Sequence, residues 1–517
     1  MRISPARPDR QGVAAPRDAA AARATRLAFL VPTALVALQL VVWVALATRF
    51  EGSIDNDVAE GVVDGPAWRL SYLRHPPLSS WLSGLAADAG DWRYVALFAI
   101  ALVFACGAFA IAAGFVARVD RRTAALVTLH AGLASPYATY WPLKFNHNVG
   151  VMPFWALALW TGWSAFEGGS LAEWAAFGAV VGFGLWAKYA ILHLALPLAA
   201  ACLVVPQWRK RLSTPGPWIA VAICVAIIAP QAVDVASHGA TPLKWAVHQT
   251  RASAIERAGW IVMFVFDCAL ANLSMASLAW AACGRKRLVA ALRAAFAPAT
   301  RTRLDLFLHV AVFGPILAIV LFAPFGVRLF YHWLTPLTVG FAAWWGHLAA
   351  RAGLSEAPRR LWIVFALWAA ALAGGYVAAR EVWRLQTPLS NGAYPEMDGP
   401  GLARLAEDYW AAHAAGPIPY IVSLDGKVSF QAAGSIAFDL PYRARVLKDG
   451  LSLNAPWLDV ADVRRRGALV VADTPTPVEA IDGVAAPVRD LTGFTRPTLS
   501  GVRAPPTIYF GVIDPGS

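Results

Sequence analysis

The sequence predicts a polytopic α-helical membrane protein with about eleven transmembrane helices and a small C-terminal α/β soluble domain. Of its 517 residues, 58% are hydrophobic and only 15% are charged, whereas about a quarter of the residues of a soluble domain are charged. Long apolar runs recur up to about residue 379, and beyond it the periodicity becomes that of a soluble domain. Many of the 23 tryptophans lie near the ends of the apolar runs, where indole rings prefer the membrane interface.

The apolar runs give the predicted helices, because about 20 apolar residues cross a bilayer. The predicted helices cover residues 27–48, 94–117, 123–140, 149–166, 171–187, 189–206, 217–235, 259–283, 305–325, 332–350 and 361–379. The first run lacks a small-residue cleavage site, so we interpret it as a retained helix rather than a signal peptide. Residues 1–26, rich in Ala, Arg and Pro, are predicted to be a disordered basic cytoplasmic segment.

The distribution of Lys and Arg predicts the orientation, because cytoplasmic loops are enriched in both. With the N-terminus inside, the inner segments carry 21 of these residues and the outer loops before residue 380 carry ten. The sequence therefore predicts a cytoplasmic N-terminus and a C-terminal region on the other side of a bacterial inner membrane, where it would be periplasmic. The net charge of +12 lies mostly in short loops and acts as a topology signal, which argues against a nucleic-acid partner.

Two segments on the predicted outer side are too polar to cross a membrane. Loop 49–93 contains two stretches, 57–68 and 77–88, that are predicted to form short interfacial helices. Residues 380–517 are predicted to form the α/β domain, with helices near 400–414, 427–438 and 458–467 and strands at 418–424, 467–473 and 507–513. The five cysteines lie in or beside apolar runs without CxxC spacing, which supports neither a disulfide framework nor a zinc site.

Polar side chains recur in turns on the predicted outer side of the membrane. Ionisable groups beside a low-dielectric slab are costly unless they are paired or used, so their convergence on one face predicts a functional site. The candidate residues are Asp57, Glu60, Arg74, His75, Asn146, His147, Asn148, Lys188, Tyr189, Arg328, Tyr331 and His332.

Each candidate also has a simpler interpretation. Cations such as Arg74 can extend to lipid headgroups, Asp55 can be a helix cap, and Tyr331 and His332 can be interfacial belt residues. The three-residue spacing of Asp57 and Glu60 fits a paired site or a solvated helix face. Lys188 differs from these, because it separates two apolar runs with almost no loop and requires an anion nearby.

Several motifs occur in a recognisable order. They are DNDVAEG, RHPPLSSW, FNHNVGVMPFWALAL, GLWAKYAIL and RLFYHWLTPL, followed in the tail by PIPYIVSLDG and PWLDVADVRRRGALVVAD. This order resembles glycosyltransferase family 39 of the GT-C membrane glycosyltransferases, which includes protein O-mannosyltransferases and the aminoarabinose transferase acting on lipid A. The resemblance covers nearly the whole chain and implies a GT-C-like catalytic domain over 27–379, with 380–517 outside.

The resemblance also implies roles for the candidate residues. Asp57 matches the position at which the family carries its catalytic acidic residue, and it would be the general base. Glu60 would be a possible second carboxylate. The donor would be a polyprenyl-phosphate-linked sugar, and the reaction would invert the anomeric centre. The donor phosphate would be bound by Lys188, Arg328, His332, His75 and Arg74, and the pocket lined by Asn146, His147, Asn148, Tyr189 and Tyr331.

The chain departs from the family pattern at two positions. Many members have Asp-Glu where this chain has Asp57 and Val58, and others carry Asp at the position of Asn148. No cofactor is predicted with certainty, and a divalent metal stays open. The acceptor is also open among lipid A, another glycolipid, a polysaccharide and protein Ser or Thr.

Two other functions compete with the enzyme. A transporter or flippase of a lipid-linked glycan would place ionisable groups near the middle of its helices, where Asp267 is the main example here. A membrane-anchored scaffold would not require the polar turns. The sequence therefore favours the transferase.

Overall fold

The chain forms a helical bundle that carries a five-stranded sheet domain at one end. The computed structural model describes residues 16–120, 122–237, 253–325, 327, 329–353, 359–385, 397–424, 426–450, 455–475, 488–497 and 507–516. The first helix begins at Pro16 and so includes residues 16–26 of the segment that the sequence predicts to be disordered. Alanine, the best helix former, makes up much of this stretch.

The helices up to residue 385 are numbered in chain order. They are α1 (Pro16–Phe50), α2 (Asn56–Asp64), α3 (Leu78–Ala87), α4 (Arg93–Val119), α5 (Arg122–Leu133), α6 (His147–Gly150), α7 (Met152–Glu167), α8 (Leu171–Ala187), α9 (Leu192–Val204), α10 (Pro206–Arg209), α11 (Gly216–Ser237), α12 (Ala254–Cys283), α13 (Arg285–Phe296), α14 (Arg303–Val320), α15 (Leu337–Arg351) and α16 (Arg359–Leu385). Helices α2 and α3 occupy the predicted interfacial stretches of loop 49–93.

Helices occupy all eleven predicted membrane segments, but their lengths differ. In the described part of the chain, seven are long and apolar enough to span a bilayer, and an eighth span is possible if the bent pair Tyr189–Val204 and Pro206–Ser213 counts as one. Helix α5 ends at Leu133, earlier than predicted, and is followed by 3₁₀ turns that contain Pro136 and Pro142. Proline lacks the amide donor that continues an α-helix, which explains the shorter element.

The C-terminal region contains three helices and one mixed sheet. The helices are α17 (Gly399–Ala411), α18 (Lys427–Asp439) and α19 (Val460–Arg466), and the strands are β1 (Tyr420–Ser423), β2 (Arg445–Leu447), β3 (Ala468–Ala472), β4 (Arg489–Thr495) and β5 (Thr507–Ile513). The strand order is β2-β1-β3-β5-β4, with β1 parallel to β2 and β3, and β5 antiparallel to β3 and β4. The predicted α/β composition is confirmed, and β2 and β4 are additions.

The sheet domain packs directly on the first loop of the membrane region. The side-chain amide of Gln431 in α18 donates to the carbonyl oxygen of Ile54 at 2.9 Å. A Cβ on Gly434 would lie 2.6 Å from the Cβ of Ala59 in α2, so only glycine permits this approach. Helix α2 in turn packs on α3, where a Cβ on Gly65 would lie 2.2 Å from the carbonyl oxygen of Ser80. We call the end of the bundle that carries the sheet domain the domain face.

The opposite end of the bundle is held by a buried ionic network. His347 in α15 contacts Asp120 through Nδ1 at 2.6 Å and Asp305 through Nε2 at 2.9 Å, and Arg351 pairs with Asp305. Asp305 also caps its own helix, since Thr302 donates to its carboxylate and accepts from its amide. Buried charges are tolerated when they are paired in this way.

Candidate functional site

The start of α2 fixes the first carboxylates on the domain face. Asp55 is the N-cap, and its Oδ1 accepts a hydrogen bond of 3.0 Å from the amide of Asp57. Its Oδ2 lies 3.1 Å from the Nζ of Lys144. The interpretation of Asp55 as a helix cap is therefore confirmed, and Asp57 follows it in the first turn of the helix.

Asn146 holds the Asp57 carboxylate in place. Its Oδ1 caps α6 by accepting from the amides of Asn148 at 3.0 Å and Val149 at 3.3 Å. Because the amide oxygen is used by this cap, the Nδ2 group points the other way and donates to Asp57 Oδ2 at 2.9 Å. The turn between α5 and α7 thus orients Asp57 through a neutral hydrogen-bond donor.

Asn148 holds Lys188 in the same way. Lys188 is the C-cap of α8, and its extended backbone ends the helix before a 3₁₀ turn at Tyr189–Ile191. Its Nζ donates to the Oδ1 of Asn148. Since Asn146 and Asn148 are two residues apart, one short turn holds the Asp57 carboxylate and the Lys188 ammonium near each other. Both are held through neutral amide side chains.

Burial shifts the pKa values of both Asp57 and Lys188. It raises the pKa of Asp57 to about 6, and the neighbouring Asp55 charge adds to the effect, whereas the hydrogen bond from Asn146 opposes it. Burial lowers the pKa of Lys188 to about 8, against the attraction of Asp57. At neutral pH the carboxylate is therefore mostly ionised and the lysine mostly protonated.

Two imidazoles stack beside this pair, and a third lies close to Lys188. The rings of His75 and His147 have centroids 3.9 Å apart with a 30° interplanar angle. Burial, followed by the charge of Lys188, lowers the pKa of His75 well below its ordinary value and that of His332 to about 3. These imidazoles are neutral at pH 7, and a neutral imidazole can still donate one hydrogen bond.

Sequence reasoning missed two groups on the other side of α2, Lys448 and Asp64, which both lie near the predicted candidate Glu60. Glu60 is buried, and its Oε1 lies 3.8 Å from the Nζ of Lys448, in the Lys448–Gly450 turn of the sheet domain. Lys448 also lies 4.4 Å from the ring centroid of Phe430. Burial and the Glu60 charge raise the pKa of Asp64, one turn further along α2. No local pattern signals Lys448, because its position depends on docking of the sheet domain.

The remaining candidates lie further from this centre or outside the described residues. The hydroxyl of Tyr189 accepts a hydrogen bond of 3.4 Å from Gln231 in α11. Tyr331 is about half exposed and packs edge-on against Trp141 at 5.3 Å. Arg74 is close enough to Asp64 to lower the pKa of that carboxyl. Arg328 lies outside the described residues, so its predicted phosphate contact stays a prediction.

The arrangement can combine proton transfer with binding of an anion. A carboxylate with a pKa of about 6 is suited to accept a proton near neutral pH. A lysine held by a neutral amide offers its charge to a phosphate. Across the described part of the chain, no three His, Cys, Asp or Glu side chains form a metal-binding group.

Comparison with known proteins agrees with the fold and with the sequence resemblance. Residues 74–233 match the family model described as dolichyl-phosphate-mannose-protein mannosyltransferase. The chain is similar in structure to ArnT from Cupriavidus metallidurans in the apo state, with a TM-score of 0.59 and 14% identity over 93% of this chain and 97% of that one. The same ArnT bound to undecaprenyl phosphate gives a TM-score of 0.59 and 17% identity over 93% and 98%.

These similarities confirm the predicted fold class, a GT-C membrane fold with a small C-terminal sheet domain, and the family resemblance. No curated protein sequence matches the chain significantly.

Proposed function

We propose that the protein is an inverting glycosyltransferase that moves a sugar from a polyprenyl phosphate to a hydroxyl or phosphate group of an acceptor. The observation that carries this proposal is the pairing of Asp57 and Lys188 through Asn146 and Asn148 on the domain face. A base and a phosphate-binding cation at one place are the two groups that such a transfer requires.

The reaction is a single displacement at the anomeric carbon. Asp57 accepts the proton of the acceptor hydroxyl while the acceptor oxygen bonds to the anomeric carbon. The bond between that carbon and the phosphate oxygen breaks, and its electron pair leaves with the phosphate. Lys188 stabilises the developing phosphate charge, and the neutral imidazoles of His75 and His332 can donate hydrogen bonds to it. Attack opposite the leaving group inverts the configuration.

A lipid-linked donor suits the position of the site. Lys188 ends the apolar helix α8, where an isoprenoid chain can remain in lipid while its phosphate reaches the headgroup level, and Asp57 begins the loop helix α2 on the same face. The solved structure of ArnT with undecaprenyl phosphate supports this donor class, since the two chains share a fold. A transporter would use ionisable groups near the middle of its helices, whereas Asp57, Lys188 and the imidazoles beside them gather at the domain face.

Mass spectrometry of membrane glycolipids, polysaccharides and envelope proteins tests the proposal. We expect one of these classes to carry an additional sugar in cells that contain the gene and to lack it in cells without the gene. The mass difference would identify the class of sugar. Identical spectra from the two strains, together with no transfer by the purified protein, would contradict the proposed function.

We further propose that the domain face is periplasmic and that residues 380–517 form a domain outside a bacterial inner membrane. The excess of Lys and Arg in the other set of loops supports this orientation. A reporter active only in the periplasm and fused after residue 400 is expected to be active, whereas a reporter fused within the loop around residue 210 is expected to be silent. The reverse pattern would show that the orientation is wrong.

A further inference from the structure

A cavity of about 620 Å³ lies between the first loop and the sheet domain. One wall is formed by the end of α2, the end of α3 and the start of α4. The other is formed by the end of α18, the segment that leads into β2, residues 457–458 and the end of α19. The α2 wall begins at Val62, five residues after Asp57, which is about 7.5 Å along the helix axis. The cavity therefore lies about one and a half turns of α2 away from Asp57, at the end of the same helix.

The cavity wall is strongly basic. Four arginines line it, and among the described lining residues Asp88 is the one carboxylate. The four are Arg93, Arg443, Arg445 and Arg466. The excess of positive charge favours an anionic occupant.

Two of these arginines form hydrogen bonds or ion pairs that join the two walls of the cavity. Arg93 donates to the carbonyl oxygens of Gly90 at 2.7 Å and Leu440 at 3.0 Å, and so ties α4 to the sheet domain. Arg443 forms a two-point pair with Asp88, one contact of which is 2.8 Å. These two arginines hold the walls together.

The other two arginines are exposed, and both contact Tyr420: Arg445 hydrogen-bonds to its side chain and Arg466 lies over its ring, so neither joins the two walls. The Arg466 guanidinium lies 5.8 Å from the ring centroid of Tyr420 and 3.8 Å from Asp462, and Asp462 also pairs with Arg465. One carboxylate thus serves two arginines, which leaves a net positive charge at this rim. Arg445 begins β2, beside Tyr420 in the sheet register.

Aromatic side chains complete the lining. Trp457 packs edge-on against Tyr72 at 5.5 Å, and the guanidinium of Arg69 lies 6.0 Å from its ring centroid. Tyr442 and Phe438 also line the cavity. Rigid aromatic rings offer an apolar face with polar groups at the edge, which suits the mixed C–H and hydroxyl surface of a sugar. Arginine adds two-point recognition of carboxylate or phosphate.

We propose that this cavity binds an anionic saccharide portion of the acceptor, with Arg445 and Arg466 binding its carboxylate or phosphate group. This inference rests on the proposed function, because it assigns the acceptor to one chemical class. The reacting hydroxyl would lie towards Asp57, while the anionic group is held in the cavity at the far end of α2.

Binding of defined probes to the purified full-length protein, without donor, tests this inference. We expect tetragalacturonate, which carries carboxylates, or mannose 6-phosphate, which carries a phosphate, to bind at least tenfold more tightly than neutral maltotetraose. The probe that binds identifies the source of the anionic group. Affinity should fall as salt is added, because exposed charges are screened.

Variants test whether the anionic probe binds to the cavity arginines or to positive charge elsewhere on the surface. The double variant Arg445→Ala with Arg466→Ala is expected to bind the anionic probe at least tenfold more weakly, and the lysine pair at these positions should restore part of the affinity. Arg465→Ala is the matched control, since Arg465 neighbours Arg466 but does not line the cavity. Its affinity should equal that of the wild type.

Two results would overturn the inference. The first is equal binding of neutral and anionic probes, and the second is equal affinity of the double variant and the wild type when both have the same melting temperature. If anionic probes fail to bind while sugar transfer is detected in cells, only the cavity assignment is wrong. If the probes bind as expected but no transfer occurs, the cavity stands as a saccharide-binding site and the proposed transferase function is wrong.

Discussion

Replacing Asp57 with asparagine is expected to lower the rate of sugar transfer by about 10²- to 10⁴-fold, the usual contribution of a general base. Asparagine has the same shape and can still accept the hydrogen bond from Asn146, but it cannot take the proton of the acceptor. The fold should therefore survive while the chemistry is lost. Initial rates of the purified variant with a polyprenyl-phosphate-linked sugar, together with its melting temperature, measure both effects.

Glu60→Gln is the matched control for this experiment. Glu60 lies on the same helix, one turn after Asp57, but its carboxylate faces Lys448. We expect this variant to retain activity within about tenfold of the wild type, because it removes no proton acceptor from the reacting centre. If Asp57→Asn keeps its activity and Glu60→Gln loses it, the base is Glu60 instead.

The pH profile provides a second readout of the same assignment. A base acts in its deprotonated form, and burial raises the pKa of Asp57 to about 6. The value of kcat/KM should therefore rise with pH through about 6 and fall as the pH is lowered below it. Asn146→Asp places a second carboxylate against Asp57 and should shift this rise in kcat/KM to higher pH. A profile that is flat between pH 5 and 7 would argue against Asp57.

Lys188→Met is expected to lower the transfer rate by about 10²- to 10³-fold, as removal of a donor to a developing anion does in other enzymes. Methionine keeps much of the length of the side chain but removes its charge, so the phosphate that leaves is no longer stabilised. Titration with the polyprenyl-phosphate donor separates kcat from KM and shows whether the donor complex or its reaction is affected.

Lys144→Met is the control for charge on the same face. Lys144 pairs with Asp55 at 3.1 Å, so its charge is already compensated, and we expect an effect under tenfold. Equal activity of Lys188→Met and the wild type across the donor titration would show that the phosphate is bound elsewhere. In that case Arg328, which the sequence also predicts, would be the next residue to test.

Much of the membrane fold and part of the site follow from local sequence patterns. Apolar run lengths predict where the helices lie, and the polar residues between them predict the turns that meet at the domain face. The Asp55 cap and the position of Asp57 depend on a few neighbouring residues, which is why sequence reasoning found them. The short α5 was missed because Pro136 lies within the predicted segment 123–140, which still counts as apolar.

Long-range docking could not be predicted from these patterns. Lys448 reaches Glu60 only because α18 approaches α2 closely enough for Gly434 to contact Ala59. Strand β2 has three residues and β4 carries polar side chains, so neither has the apolar run that marks a strand. Each becomes a strand through its hydrogen bonds to a neighbouring strand, β2 to β1 and β4 to β5.

The contact between Lys448 and Glu60 has a consequence for the order in which the protein matures. Helix α2 leaves the ribosome long before Lys448 does, and domains generally fold from the N-terminus during synthesis. Until the sheet domain arrives, Glu60 lacks the cation that accompanies it in the finished molecule. A membrane region completed by itself would hold its carboxylates in a different electrostatic balance, and the pairing of Glu60 forms only when the sheet domain docks.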